Sequence, residues 1–376
     1  MLDKPGPGGD TAGMQAASDF PSGPTAAAVH ADPYPYYARL REKTPFFFDE
    51  DLGSWVASTA GVIDEVLAHA GLRVRPPAEP VPPPLAGTPA GEVFALLVRM
   101  NDGDFHPVHR PQMDASAARL SMGDVAKAAA GAARDLAPRT GPNDLLSRLP
   151  VQAMARLLGV ASDALDATTA WVEDFVHGIA ANASTDAISR ASLAALQLMA
   201  QGEALGLDKV RSANRIAMMQ QSLDATAGLI GNTVRRLQSR PGGPDAAASL
   251  NTWRSVVAEV ARWDSPVQNT RRYAAAGLRI AGQDVSAGQG ILVLLACGNR
   301  DAALNDNPDE FDAARSTRRM FSFGAGRHHC PGEAIAMEIA SSALKTLHAG
   351  GDAQRLFKRV NGFRPLPNAR IPIFET

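Results

Sequence analysis

Near its C-terminal end the chain reads Phe-Ser-Phe-Gly-Ala-Gly-Arg-His-His-Cys-Pro-Gly from Phe321 to Gly332, and an apolar helical pattern follows. Pro331 suits the first turn of that helix, which puts Cys330 at its N-terminus. Unpaired N–H groups and the positive end of the helix dipole stabilise a thiolate there. Gly324 and Gly326 allow a tight loop whose backbone can approach a flat ligand closely. Phe321 and Phe323 are placed to screen the sulfur from water. Two kinds of chemistry use a cysteine in such a place without any flat ligand. One is a nucleophilic or redox thiol. The other is zinc binding by His328, His329 and Cys330, but adjacent side chains diverge and no second ligand pair stands at finger or zincin spacing.

A third chemistry uses more of the loop. An anionic sulfur in a dry, amide-lined pocket is what a haem iron needs from a thiolate ligand. The pattern Phe-Gly-x-Gly-x-His-x-Cys-x-Gly is long and chemically demanding. Cys297, the other cysteine, lies in the strand-like apolar run Ile291–Cys297 and reads as a small buried hydrophobe. A disulfide between the two would be an odd device for a chain with so large a potential core, so both read as reduced thiols in a cytoplasmic protein.

The elements that must position this loop are mostly helical. Tyr34–Lys43 and Ala60–His69 read as helices, with a strand pair, Pro45–Asp49 and Ser54–Ser58, between them. The prolines of residues 75–89 exclude regular structure. From Arg110 to about Leu237 apolar residues recur at helical spacing, and Trp253–Trp263 is a further amphipathic helix. Strand-like residues follow, Leu278–Ala281 and Ile291–Leu295, with a turn at Gly282-Gln283-Asp284; Glu333–Leu347 is a final helix. The fold class expected is mainly α with a minor β region, in one domain over 32–376, after a disordered leader over 1–31.

Composition narrows the partners. The chain has 376 residues, 45% hydrophobic, and a net charge of -2, so there is no basic excess for nucleic acid or an anionic membrane. No apolar run approaches a membrane span. The first thirty residues are rich in Gly, Pro, Ala and Ser and lack the basic start and apolar stretch of a secretory signal.

The cysteine loop resembles the haem-binding signature of the cytochrome P450 superfamily, with every fixed position filled. The resemblance runs from about Asp32 to the C-terminus and implies the P450 fold and haem b (iron protoporphyrin IX). It implies Cys330 as axial ligand to the metal, Phe323 and Gly332 packing around it, and His328 on a haem propionate. His106 and Arg110, one helical turn apart, would hold a propionate too. So would Arg271 after Ser265-Pro266-Val267-Gln268, with Arg272 the less favoured residue. Glu259 and Arg262, by themselves an i,i+3 pair of small worth, would join Arg315 in a structural triad. The implied activity is insertion of one oxygen atom from O2 into a small or medium-sized, largely apolar substrate. Electrons would come from a separate ferredoxin and ferredoxin reductase with NAD(P)H upstream, and Arg318, Arg319 and Arg327 could steer that partner. No nucleic acid or membrane partner is implied.

Ile216–Leu237 looks like the family's long central helix, and here the sequence departs from it. The acid is kept as Asp224, but the usual Thr is Ala225, and Gln221 and Ser222 replace a small pair. Asp224 would admit protons, with Ser222, Gln221, Thr226 or a substrate hydroxyl replacing the missing one. The loss keeps open an atypical chemistry, peroxide-driven oxidation or oxidative coupling. The stretch between Gly159 and the central helix is short for the family, which implies a trimmed lid over the substrate.

Overall fold

A computed structural model of the protein describes residues 20–239 and 247–376. Its helices are α1 (Tyr34–Lys43), α2 (Ala60–Ala68), α3 (Pro89–Ala95), α4 (Phe105–Ala118), α5 (Met122–Leu136), α6 (Pro142–Leu157), α7 (Leu165–Gly178), α8 (Thr185–Ala204), α9 (Lys209–Ser239), α10 (Leu250–Trp263), α11 (Leu295–Asn299), α12 (Glu333–Ala349) and α13 (Asp352–Leu356). The strands are β1 (Phe46–Asp49), β2 (Ser54–Ala57), β3 (Leu72–Arg73), β4 (Thr270–Ala274), β5 (Leu278–Ile280), β6 (Gln283–Val285), β7 (Gly290–Val293), β8 (Val360–Phe363) and β9 (Pro372–Phe374).

Helix α10 shows how pattern becomes structure. Trp253, Val256, Val257, Val260 and Ala261 are buried on one face, and the Ser249 hydroxyl caps the start by accepting the Thr252 N–H at 3.2 Å. That face meets α9 and α12, and α12 in turn packs on α5. The main core is the apolar interior of these helices and α6. A second core lies where α2 packs on a five-stranded sheet of order β1-β2-β7-β4-β3, in which β2 and β7 are parallel and the other neighbours antiparallel.

Helix α9 is central and passes close to its neighbours. A Cβ on Gly228 would stand 2.8 Å from the Arg370 carbonyl oxygen and 2.9 Å from Pro266 Cβ, so only glycine lets the helix lie there. Between α6 and α9 stand a 3-10 turn, α7 and α8. They close tightly because Gly178 has no side chain; a Cβ there would lie 2.2 Å from Ala191 Cβ.

Four expectations are corrected. Residues 1–19 of the expected leader lie outside the described residues, but residues 20–31 are structured. A 3-10 turn spans Ala26–Val29, with Ala27 and Ala28 fully buried. Arg370 holds this segment by donating to the carbonyls of Ala28, His30 and Ala31 at 3.3, 2.6 and 2.9 Å. Cys297 is buried as expected, but in α11 rather than a strand, because the sheet ends at Val293. The hairpin turn falls at Ala281-Gly282, both at positive φ, one residue earlier than the polar residues suggested. Finally, Pro83–Leu85 forms a 3-10 turn, and Pro89 opens α3, where the missing proline N–H costs nothing.

The Arg370 that pins residues 28–31 is itself paired with Asp264. Both are fully buried, at 3.0 Å, and Asp264 also accepts from Arg235 at 2.6 Å and the Tyr34 hydroxyl at 2.8 Å. Burial would raise the Asp264 pKa, but Arg370 and Arg235 pull it down from 3.8 to about 2. A depressed carboxylate stabilises the fold above its unfolded pKa and loses that contribution as pH falls through its folded one. None of the described helices is long and apolar enough to cross a membrane.

Asp264→Asn leaves buried Arg370 without its counter-charge and is expected to cost about 3–5 kcal/mol in urea unfolding. The gap from wild type should hold from neutral pH to about pH 4 and narrow below it, toward the folded value of about 2. A gap that widens on acidification would contradict the assignment.

Candidate functional site

Cys330 sits two residues ahead of Gly332, which is the N-cap of α12; Pro331 and Gly332 form a turn rather than the first helical turn. The helix therefore begins later than the proline suggested. The sulfur still receives the Gly332 N–H. The loop is closed on itself, since Cys330 N–H donates to the Phe323 carbonyl at 2.8 Å and Gly324 N–H to that of Phe321 at 2.7 Å. Gly326 must be glycine twice over, with φ +66° and a Cβ position 2.8 Å from the Leu67 carbonyl oxygen. Phe321 is buried and Phe323 half-buried. Burial raises the Cys330 thiol pKa above its ordinary value, while the Gly332 N–H and the charges of Arg110 and Arg99 lower it. Cys297 is fully buried, with Arg41 as the cation beside its sulfur, Nη1 to Sγ at 3.8 Å. Burial pushes its thiol up to about 12, which leaves it inert at neutral pH.

Cys330 borders a cavity of about 440 Å³ that also meets Arg99, Arg110, Arg271, Arg272, Gln221 and His328. A polar cluster forms one side. His328 Nε2 lies 2.9 Å from Asp102 Oδ1, and Arg327 is 3.2 Å from the same oxygen. The His106 ring packs on the His328 ring at 4.3 Å between centroids. Burial first, then His328 and Arg110, lower the His106 pKa to about 4, so this ring is neutral at neutral pH. His106 Nε2 and His328 Nδ1 are both buried without a hydrogen-bond partner.

The arginines divide in a way the sequence reading did not foresee. Strand β4 alternates, turning Arg271 out to solvent and Arg272 inward beside His328. Arg272 is 7% exposed and bonds only to the Thr270 hydroxyl and the Arg271 carbonyl. Both border the cavity, but the buried cation of the pair is Arg272, whereas Arg271 is exposed. Arg110 is engaged by the cysteine loop, donating to the carbonyls of Arg327 and His329 at 3.0 and 2.7 Å and pairing with Asp114 at 2.7 Å. Arg99 and Asp102 were missed. Asp102 stands one turn before His106, a spacing that could have flagged it; Arg99 carried no such signal.

The central helix presents Gln221 to the cavity, whereas Ser222, Asp224 and Thr226 are not on its wall. The Ser222 hydroxyl donates to the Met219 carbonyl at 2.7 Å. Asp224 lies near Arg364 and His177; burial raises its pKa and those two charges lower it. The Glu259–Arg262 pair is fully buried at 2.6 Å, and Arg315 and Arg318 reach the same carboxylate at 3.4 and 2.9 Å. Arg318, expected on the surface, is thereby committed inside, while Arg319 is exposed. His329 pairs with Glu333 at 3.0 Å and diverges from His328, so the His-His-Cys run does not converge on one metal.

A porphyrin with two carboxylates suits these residues. It would supply acceptors for the unpartnered histidine nitrogens and counter-charges for Arg272, all on one side of the cavity, with the sulfur on its floor.

The sequence model of the family described as Cytochrome P450 matches residues 243–347. A protein named "Putative cytochrome P450 140" from Mycobacterium tuberculosis is 26% identical, over 90% of this chain and 89% of that one. The "Biotin biosynthesis cytochrome P450" of Bacillus subtilis is 28% identical over 52% of this chain and 55% of its own. The crystal structure of CalO2 superposes with a TM-score of 0.78 at 20% identity, covering 94% of this chain and 97% of that one. The structure of P450 RauA complexed with a biosynthetic intermediate of aurachin RE gives 0.74 at 22% identity, covering 94% and 97%. With a cysteine seated in this loop, the chain has the fold of the cytochrome P450 structures along nearly its whole length and is similar in sequence to bacterial proteins of that family.

Proposed function

We propose that this chain is a P450 monooxygenase that would hold haem b through the Cys330 sulfur and oxidises a medium-sized organic substrate, using electrons from a separate ferredoxin and its reductase. The observation that carries the reading is the single cavity bordered by Cys330, His328 and Arg272, with the His106 ring packed on His328. Bound there, haem supplies the site for dioxygen and its two-electron activation, which a thiolate ligand favours by pushing electron density toward the O–O bond.

The chain's own residues have distinct tasks. Arg110 holds the cysteine loop by two of its carbonyls, and the Gly332 N–H favours the anionic sulfur. His106 Nε2, His328 Nδ1 and the Arg272 guanidinium would hold the cofactor's carboxylates. Phe321 and Phe323 keep water from the sulfur. On the opposite wall Gln221 stands one turn before Asp224 on α9. Asp224 takes protons from the lid side, near His177, and Gln221 steadies the water that passes them inward. Thr226 and Ser222 shape the helix around this path; the Ser222 hydroxyl is already committed to Met219. Arg319 and Arg327 are the arginines placed to meet an acidic ferredoxin. A second reading, peroxide-driven oxidation or oxidative coupling, is favoured by one observation. Position 225 has no hydroxyl, and neither Ser222 nor Thr226 borders the cavity.

Reduced protein treated with carbon monoxide should show the red-shifted Soret band of thiolate ligation, and Cys330→Ser should abolish it. An unaltered band in that variant defeats the reading. Arg272→Ala should weaken haem retention about tenfold or more relative to Arg271→Ala, from ~1.5–3 kcal/mol for a hydrogen bond to a charged group. Haem transfer to a competing apoprotein measures it, and equal losses would restore the outward arginine. Ala225→Thr should lower the fraction of electrons lost to peroxide when ferredoxin and reductase drive turnover. A fraction that does not move, with peroxide alone sustaining full turnover, would favour the second reading.

A further inference from the structure

Asn269 stands in the turn between α10 and β4, borders the cavity and is only 4% exposed. Its amide nitrogen donates to the Pro367 carbonyl at 2.7 Å. A carbonyl can only accept, so this bond fixes which end of the amide is the nitrogen and turns Oδ1 away from Pro367. Oδ1 makes no hydrogen bond with the described residues. A buried amide oxygen without a donor is costly, and a ligand that brings a donor removes the cost. Its neighbour Gln268 is different. That side chain is fully buried and spent on the fold, accepting from the Tyr37 hydroxyl at 2.9 Å and donating to the Ser265 carbonyl at 2.7 Å.

The packing of the turn says which side of the cavity Asn269 serves. The Gln268 N–H donates to the Asn368 carbonyl at 2.9 Å and the Arg370 N–H to that of Pro266 at 2.8 Å, so residues 266–269 and 367–370 form one wall. That wall lies against α9. Gly228 admits Pro266 and the Arg370 carbonyl where a Cβ would stand 2.9 and 2.8 Å from them. Gln221 lies two turns before Gly228 on the same face of α9, about 10 Å along its axis. Asn269 therefore shares with Gln221 the side of the cavity that α9 closes, whereas Cys330 and His328 come from the cysteine loop. Gln221 is turned in the same manner, its amide nitrogen donating to the Ala217 carbonyl at 3.1 Å, which leaves its oxygen for the water it steadies. The Asn269 oxygen is left for the substrate. The group it meets must be neutral, because five arginines border the cavity (Arg75, Arg99, Arg110, Arg271 and Arg272) and among the described residues no Asp or Glu does, which disfavours an ammonium.

We propose that Asn269 is a specificity-determining residue that accepts a hydrogen bond from a substrate hydroxyl, so that the molecule oxidised here is a neutral alcohol with an apolar body. This role rests on the monooxygenase reading of the same site. A site built to bond a hydroxyl rejects the analogue that lacks it, because the buried oxygen is then left unpaired.

The test uses the haem-loaded protein with decanol, hexadecanol and cyclododecanol, each against its methyl ether. Binding is read by the haem spectral shift and independently by calorimetry. The best-fitting alcohol should bind about three- to tenfold more tightly than its ether. Asn269→Leu should remove that preference without weakening ether binding. Asn269→Asp gives up the bond to Pro367 but keeps an acceptor, so it should lower the melting temperature and retain the preference. Equal binding of every alcohol and its ether by the wild type overturns the proposal. So does a preference that survives in Asn269→Leu, which would assign the hydroxyl to Gln221 or to the iron, and so does a preference lost in Asn269→Asp, which would leave Asn269 with the Pro367 bond alone. Failure of the thiolate carbonyl band in the wild type would instead overturn the underlying reading, while calorimetry would still report whether Asn269 selects alcohols.

Discussion

The architecture around the cysteine depends on one guanidinium. Residues 300–322 run between α11 and the cysteine loop without regular structure, and Arg300, Asn305, Phe321 and Ser322 along it are buried. A buried irregular backbone needs side-chain partners for its carbonyls. Arg262 provides them, with two of its five N–H groups on Glu259 and three on the carbonyls of Asn299, Pro308 and Glu310. Glu259 compensates the charge of Arg262 and adds bonds from Arg315, Arg318 and the Asp312 N–H. Asn299 and Ser322 complete the web, with Asn299 accepting the Phe321 N–H at 2.6 Å. The loop that presents Cys330 thus starts from a fixed point.

A second consequence concerns charge. A chain with net charge -2 gathers five arginines around one cavity. Their number suits a site that must take in a dianionic cofactor and an anionic sulfur, and it leaves a surplus. Neutral histidines provide hydrogen bonds without adding further to that surplus, since burial lowers the pKa of both His106 and His328. Burial raises the Cys330 thiol, so the loop's N–H and its cations only partly favour the anion; a bound cation is what deprotonates a coordinating thiol outright.

On the distal side, the helix divides its polar residues by direction. Gln221 meets the cavity, while Asp224 looks toward α7 and Arg364. One helical turn separates them, and the position where the sequence reading looked for a Thr hydroxyl is Ala225. Next to α9, helices α7 and α8 pack closely through Gly178 and Ala191.

Much of this was legible in the order of residues. Helical periodicity located α1, α2, α10 and α12, because an amphipathic face must be buried wherever the rest of the chain lies. The loop from Phe321 to Gly332 could be read because turn glycines, a helix start and a cysteine are local features. What needed the tertiary structure was direction and partnership. The choice between Arg271 and Arg272 turns on which way one pleat faces, and β4 acquires that orientation only by pairing with β7. Residues 26–29 look like a leader until Arg370, more than three hundred residues away, offers donors for the carbonyls that follow them. Arg318 reads as a surface charge until Glu259 is folded against it. Sequence by itself determined most of the helices and the make-up of the cysteine loop, since those depend on neighbours along the chain. Only the fold decided which charges meet, because that depends on neighbours in space.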